Sequence, residues 1–320
     1  MIVGLDVSPL VQTRAGTARY LRGLLDRLRV DVRRLSFGGA GRGSTVVRDA
    51  VWYPLALGRA KGIDVLHCPT FRGPVRSRAP LVVTVHDLAV LRHPELFNAW
   101  TRRYSRVLVP RVVRSALRVI AVSEFTKREI VELLGVREER VRVIGNAVEP
   151  VFAADGPAAE GDYVLAVGTV EPRKNLVRLV DAARRAGAEL RVVGARGWGD
   201  VALDGVTWLG EVTDEELAQL YRGATVVAYP SLYEGFGIPV LEALACGAPV
   251  VTSTGTVMAD VADGAAVLVD PADAAAIAQG IQEAIARRDE LAAKGLEHAR
   301  GFTWRRVGET FLTAWTEASA

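Results

Sequence analysis

Short apolar runs recur along the chain at intervals that leave room for one helix between neighbours. In the first half they read IVGLDV (2–7), VDVRRLS (30–36), DVLHC (64–68), LVVTVHD (81–87), LRVIAVS (117–123) and VRVIGN (141–146). Their apolar positions are continuous rather than alternating, which suits strands covered on both faces of a parallel sheet. Helical spacing fills 17–28, about 98–116 and 124–134. Ser123 is placed to cap the last of these by accepting the amide of Phe125 or Thr126. PVFAADGPAAEGD (150–162), rich in Pro, Gly, Ala and acid, then reads as a linker. Beyond it the alternation restarts with YVLAVG (163–168), ELRVVG (189–194), TWLG (207–210), ATVVAYPS (224–231), APVVTS (248–253) and AAVLVD (265–270). Helices are expected at 175–186, 214–222, 239–246 and 272–287. The pattern predicts an α/β protein of two doubly wound, parallel-sheet domains. SFGGAGRGS (36–44) reads as a flexible surface loop.

Composition narrows the classes. Half of the 320 residues are hydrophobic and 24% are charged, which excludes a disordered chain and leaves enough core for two domains. No apolar run has the length of a spanning helix. Met1 leads straight into the first strand-like run without a basic stretch, so a cytoplasmic protein is expected. Cys68 and Cys246 lack C-x-x-C spacing and read as buried thiols. Lys and Arg outnumber Asp and Glu 26 to 15 over residues 1–160, whereas acids lead 22 to 14 over 161–320. The basic half suits an anionic partner, or simply a solvated Arg-rich surface. Arg102, Arg103, Arg106, Arg111, Arg114 and Arg118 lie among apolar residues, as a face on an anionic membrane would, with Pro110 expected to interrupt that helix. Phe71, Trp100 and Tyr104 are too scattered for a nucleic-acid platform. The four histidines show no metal-ligand spacing, and neither H-E-x-x-H nor G-x-S-x-G is present.

Two places carry candidate chemistry, both where a strand hands over to a helix and amides and cations can meet a diphosphate. In GTVEPRKNL (168–176), Arg173 and Lys174 stand at such a junction. Positive charge there opposes the helix dipole, for which a bound anion would be a reason; the alternative is a pair of exposed first-turn cations. In YPSLYEGFGIPVLEALACGAPVV (229–251), Gly235 and Gly237 allow a tight turn and Pro239 suits the first helical position. Glu242 is then expected in the first turn, and Glu234 lies eight residues earlier on the loop. The two acids can face one pocket and accept hydrogen bonds from sugar hydroxyls. As an alternative, Glu242 merely complements the helix N-terminus.

Together these segments resemble a family 4 glycosyltransferase of the GT-B fold, two Rossmann-like domains facing across a cleft. The resemblance runs from near Met1 to the final helix. It rests on Glu234 and Glu242 as an E-x7-E pair, on GTVEPRKNL, and on AVSEFTKREIVELLGV with RVRVIGN (121–146). VHDLAVLRHPELF (85–97), RAGTARYLRGLL (14–25) and GFTWRRVGETFLTAW (301–315) extend it. IGNAVEP (144–150) departs from the usual Ile-Pro-Asn-Gly-Val-Asp run, and Asp260 stands where glutamate is commoner.

The resemblance implies an acceptor-binding domain over 1–152, on which helix 303–320 packs back, and a donor-binding domain over 153–302. It implies that Glu242 holds the donor ribose and Glu234 the hydroxyls of the transferred sugar. The amides of Gly235, Phe236 and Gly237 line sugar and phosphate, and Arg173 and Lys174 stabilise the departing diphosphate. His86 would sit near sugar and acceptor, Gly16 would let its loop approach the phosphates, and Gly210 to Val212 would line the base pocket. The implied activity is retaining transfer of a hexose, with GDP-mannose the favoured donor and UDP- or dTDP-sugars left open, to a glycan, lipid-linked or small-molecule acceptor. No cofactor or metal is implied, and no nucleic acid. A peripheral position at the inner face of the plasma membrane fits the basic half. A non-catalytic partner subunit of the same fold and a sugar-nucleotide epimerase remain as alternatives.

Overall fold

The computed structural model describes residues 1–12, 16–39, 41–97, 99–199, 201 and 203–320. It divides into two units, Met1–Ala147 with Thr303–Ala320, and Val148–Phe302. In the first unit the strands are β1 (Ile2–Asp6), β2 (Asp31–Leu35), β3 (Val65–Cys68), β4 (Leu81–Val85), β5 (Arg118–Ala121) and β6 (Val141–Val143). Its helices are α1 (Pro9–Gln12), α2 (Gly16–Leu25), α3 (Arg42–Val47), α4 (Ala89–Arg92), α5 (Ala99–Ser115) and α6 (Glu124–Leu134). The second unit holds β7 (Tyr163–Val167), α7 (Leu176–Ala186), β8 (Glu189–Val193), β9 (Thr207–Gly210), α8 (Asp214–Gly223), β10 (Val226–Tyr229) and α9 (Ile238–Ala245). It ends with β11 (Val250–Ser253), α10 (Val257–Ala262), β12 (Val267–Val269), α11 (Ala274–Ala286) and α12 (Arg288–Ala299). The last helix, α13 (Trp304–Ser319), belongs to the first unit.

Each unit is built on a six-stranded sheet whose strands pair in parallel, in the orders β2-β1-β3-β4-β5-β6 and β12-β11-β10-β7-β8-β9. Both are doubly wound α/β sheets. The continuous apolar runs become central strands: every residue of β3, β4, β10 and β11 is buried. In the second unit, Leu179, Val180 and Ala183 of α7 and Ile277, Ile281 and Ala284 of α11 pack over Val164, Val192, Val226 and Val251. At about 25 cal/mol per Å² of apolar surface removed from water, such layers dominate the driving force for each unit. In the first unit α13 lays Trp304, Val307, Phe311, Ala314 and Trp315 against Val3, Val65, Val82 and Ile120. This i, i+3, i+7, i+10, i+11 spacing makes one apolar stripe, and the Thr303 side chain caps the helix by accepting the amide of Arg306.

Several local expectations fail for identifiable reasons. Pro110 does not interrupt α5, which runs unbroken past it. A proline removes one helical hydrogen bond, and here Ser105, Val109, Val112 and Val113 keep their face on the core. Segment 150–162 is not a free linker but part of the second unit, tied to α8. Arg222 donates to the carbonyls of Pro157 (2.7 Å) and Ala153 (3.0 Å), and Ala159 N–H donates to Gln219 O (2.9 Å). In the Gly-rich stretch 36–44, α3 begins at Arg42, and Ala40 lies outside the described residues. Ser123 caps α6 as expected, accepting Thr126 N–H at 3.0 Å. Among the described residues no helix is long and apolar enough to cross a membrane.

Candidate active site

The order of the second sheet reverses between β7 and β10, and ligands in open α/β sheets sit outside the carboxyl ends at that point. The residues that follow both strands converge there. After β7, Gly168 takes φ 142°, a conformation that disfavours any side chain, and a Cβ would stand 3.1 Å from Lys174 Cε. The lysine stem thus folds back over the strand end. Pro172–Lys174 form a separate 3-10 turn, because Asn175 adopts the left-handed conformation (φ 61°) before α7 starts at Leu176. Asn175 is buried and donates from Nδ2 to the carbonyls of Pro230 (3.0 Å) and Pro271 (2.6 Å). Leu232 N–H donates to Arg173 O at 2.8 Å. The turn after β7 and the loop after β10 are therefore one assembly.

Within it, Arg173, Lys174 and Glu234 meet directly. Arg173 Nη1 donates to Glu234 Oε2 at 2.7 Å and to Tyr233 O at 3.2 Å, and Arg173 Nε is paired with Glu171. Lys174 Nζ donates to Glu234 Oε1 at 2.6 Å and to the Tyr229 hydroxyl, which itself donates to Glu234 Oε1 at 2.9 Å. Only 10% of the Lys174 side chain and 11% of the Glu234 side chain are exposed. Burial pushes the Glu234 carboxyl up, but the charges and hydrogen bonds of Lys174 and Arg173 outweigh it and hold it at about 2. Burial lowers Lys174 against the pull of Glu234, and burial raises Glu171 against Arg173 and Lys174. Two cations and two carboxylates thus balance inside the protein. Glu171 and Glu234 supply a counter-charge from within the chain to the cations at this helix start.

Glu242 occupies different surroundings. It lies not in the first turn of α9 but one turn further in, because the helix starts at Ile238 with Pro239 in its opening positions. Its side chain is buried and Oε2 accepts the Tyr221 hydroxyl at 3.0 Å. Glu242 Oε2 thus meets Tyr221, whereas Glu234 meets Arg173, Lys174 and Tyr229. Gly237 precedes α9 with φ 98°, and a Cβ there would approach Met258 Cγ to 2.9 Å. Phe236 is buried edge-on to Phe302, with ring centroids 6.3 Å apart, while Gly235 lies between it and Glu234. Gly210 ends β9, its carbonyl accepting Gly194 N–H at 2.7 Å, and half-buried Val212 leads into the Thr213 cap of α8.

His86 and Gly16 belong to the first unit. His86 follows β4, its ring edge-on to Tyr20 at 5.1 Å. Its Nε2 lies 3.0 Å from Pro69 O, and since a carbonyl only accepts, Nε2 carries the proton. Burial lowers its pKa, so the ring is neutral at pH 7 with Nδ1 as an acceptor. Gly16 opens α2 on an exposed face where a Cβ would touch nothing. Arg14 and Ala15 of its motif lie outside the described residues. On α5, Arg102, Arg103, Arg106, Arg111 and Arg114 are exposed beside Trp100 (59% exposed) and Val107. Arg118 is not part of that face: it starts β5 and pairs with Glu317 at 3.7 Å. Among the described residues no cluster of three His, Cys, Asp or Glu side chains is placed to hold a metal.

Sequence reasoning missed Tyr229, Glu171 and Asn175. Glu171 and Asn175 stood inside GTVEPRKNL, and an acid next to an expected phosphate clamp was a usable signal. Nothing in the local pattern marks Tyr229, an apolar-run tyrosine like any core residue.

The model of Glycosyltransferase Family 4 matches residues 4–152, and that of Glycosyl transferases group 1 matches residues 149–301. O-antigen chain mannosyltransferase B of Escherichia coli is 32% identical over 281 residues, covering 78% of this chain and 74% of its own. A D-inositol 3-phosphate glycosyltransferase of Nocardia farcinica is 32% identical over 281 residues, covering 76% of this chain; the chain spans only 62% of that relative's length. The structure of Anabaena HepE in complex with UDP and glucose superposes with a TM-score of 0.76 at 19% identity, over 98% of this chain and 99% of that one. With both of its sheets matched in fold and its length spanned by the two family models, the chain belongs to glycosyltransferase family 4, as a transferase of the GT-B fold.

Proposed function

We propose that the protein transfers a hexose, with mannose favoured, from a nucleoside diphosphate sugar to a hydroxyl of a glycan, lipid-linked or small-molecule acceptor, with retention at the anomeric carbon. The observation that carries this reading is the joining of Arg173, Lys174 and Glu234 at the carboxyl ends of β7 and β10. Arg173 and Lys174 stabilise the charge that develops on the departing diphosphate, the main electrostatic task of such a transfer. Glu234 takes sugar hydroxyls, and the amides of Gly235, Phe236 and Gly237 line sugar and phosphate. Glu242 holds the ribose, and Gly210 to Val212 line the base. In the first unit, His86 is neutral at pH 7 and offers Nδ1 as an acceptor. The leaving phosphate oxygen takes the acceptor's proton on the same face of the sugar, so no metal ion and no protein nucleophile is required.

The mannosyltransferase name of the Escherichia coli relative supports GDP-mannose as donor. The exposed basic face of α5, with Trp100 beside it, supports a peripheral position on an anionic, cytoplasmic membrane surface. The test is a thermal-shift panel of GDP, UDP, ADP, dTDP and their sugars, with and without EDTA, followed by turnover of the best binder. A ligand bound only by the native state raises stability by RT ln(1 + [L]/Kd). GDP and GDP-mannose are expected to give the largest shift, unchanged by EDTA. No shift from any nucleotide in cooperatively melting protein overturns the donor site, and a shift abolished by EDTA overturns the metal-free reading.

A further inference from the structure

Resting on the donor site proposed above, we infer that Glu234 is the resident occupant of the Arg173–Lys174 anion seat, displaced when a diphosphate binds and re-seated as the spent nucleoside diphosphate leaves. Both oxygens of its carboxylate are committed to these cations, Oε1 to Lys174 and Oε2 to Arg173, as two oxygens of a phosphate would be. Lys174 also spends a proton on Tyr229, and Arg173 Nε faces Glu171. A diphosphate reaching the same donors meets a carboxylate already in place. Its own charge, two or more negative units, cannot share a largely buried site with Glu234 at hydrogen-bond distance, because like charges so close in low dielectric repel strongly. One anion has to leave.

The fold lets the side chain leave alone. The loop backbone around Glu234 is held independently of its carboxylate, through Leu232 N–H to Arg173 O, Asn175 Nδ2 to Pro230 O and Ser253 Oγ to Ser231 O (2.7 Å). Rotation about the Glu234 side chain therefore vacates the seat without melting the loop. Glu171 stays as the internal counter-charge, and the Tyr229 hydroxyl, released from Glu234, can turn its proton to a phosphate oxygen. A displaced carboxylate needs new donors. The hydroxyls of an intact nucleotide sugar supply them; a nucleoside diphosphate without its sugar does not. Exchange thus favours the donor over the spent product and returns Glu234 to its seat as the product departs.

Isothermal titration of inorganic pyrophosphate and of GDP into wild type, Glu234→Gln and the Arg173→Ala/Lys174→Ala double variant tests this. Glu234→Gln removes the competing charge at nearly constant shape, and it is expected to bind pyrophosphate at least tenfold more tightly than wild type. Equal or weaker binding overturns the exchange. If the Arg/Lys double variant binds pyrophosphate as wild type does, the cations are not the diphosphate seat, and the donor-site reading falls instead. A measurement on wild type guards against a variant that does not fold: NMR of ¹³C-carboxylate-labelled glutamates, with the Glu234 signal assigned by its absence in Glu234→Asp. Saturating pyrophosphate should shift that signal, and a signal that stays in place refutes displacement.

Discussion

Replacing Lys174 by methionine keeps the reach of the side chain and removes its charge. Glu234 then retains Arg173 and the Tyr229 hydroxyl but loses its 2.6 Å partner in a site where its side chain is 11% exposed. Stripping one partner from a buried ion pair costs about 3–5 kcal/mol. Two features reduce that figure here. Arg173 still holds the second oxygen, and the burial that lowers the Lys174 pKa is a penalty the variant no longer carries. We expect a net loss of about 2 kcal/mol. For a body of the size of Val148–Phe302, each kcal/mol moves Tm by about 2–4 °C, so calorimetry should show the transition of that unit about 4–8 °C lower. The double variant K174M/E234Q removes both charges and should recover at least half of the loss, because the destabilising element is the orphaned carboxylate rather than the missing contact. Sugar transfer follows the opposite rule: kcat falls by about 10²–10³ in the single variant and does not recover in the double. A single variant melting within about 1 °C of wild type, or a double variant melting below the single, refutes this account of the cluster.

Glu234 also sets an acid limit. Its carboxyl lies at about 2 in the fold against an ordinary 4.5, so its stabilisation is complete above about pH 4.5 and is lost as pH falls toward 2. Stability curves of wild type and Glu234→Gln should converge across that window; parallel curves would rule the linkage out. Asp6 works the other way: burial outweighs its bonds to Ser8 and raises it from 3.8 to about 6, so its contribution is lost as pH rises through that interval. Comparing the two proteins at each pH cancels it. Gly237→Ala places a Cβ at φ 98° and 2.9 Å from Met258 Cγ, and should cost about 1–3 kcal/mol and raise the donor KM. Unchanged melting and KM would show that the turn tolerates a side chain. Tyr221→Phe removes the buried donor to Glu242 Oε2 and should cost about 1–3 kcal/mol. In steady-state kinetics it should raise the donor KM while kcat stays near wild type; a collapse of kcat instead would move Glu242 from binding into the chemical step.

What could be read from the chain, and what could not, divides along a physical line. Strands such as LVVTV and VVAY are almost wholly apolar because both of their faces are covered, and that burial is written directly in composition. The α6 cap was equally readable, since Ser123 and the Thr126 amide are only three residues apart. Helix phase was not. α9 begins at Ile238, one residue earlier than the spacing suggests, which puts Glu242 just past the first turn, with its Oε2 against the Tyr221 hydroxyl. The left-handed Asn175 has the same effect at the other junction: it detaches Arg173 and Lys174 from α7 and turns Lys174 inward. Its conformation is stabilised by carbonyls at Pro230 and Pro271, residues 55 and 96 positions away, which no local pattern contains. The E-x7-E spacing thus identified the two acids without disclosing their neighbours. Glu234 and Glu242 differ in charge environment far more than in sequence context, Glu234 lying between two cations and Glu242 accepting a tyrosine hydroxyl, so packing around each carboxylate distinguishes two acids that their spacing presents alike.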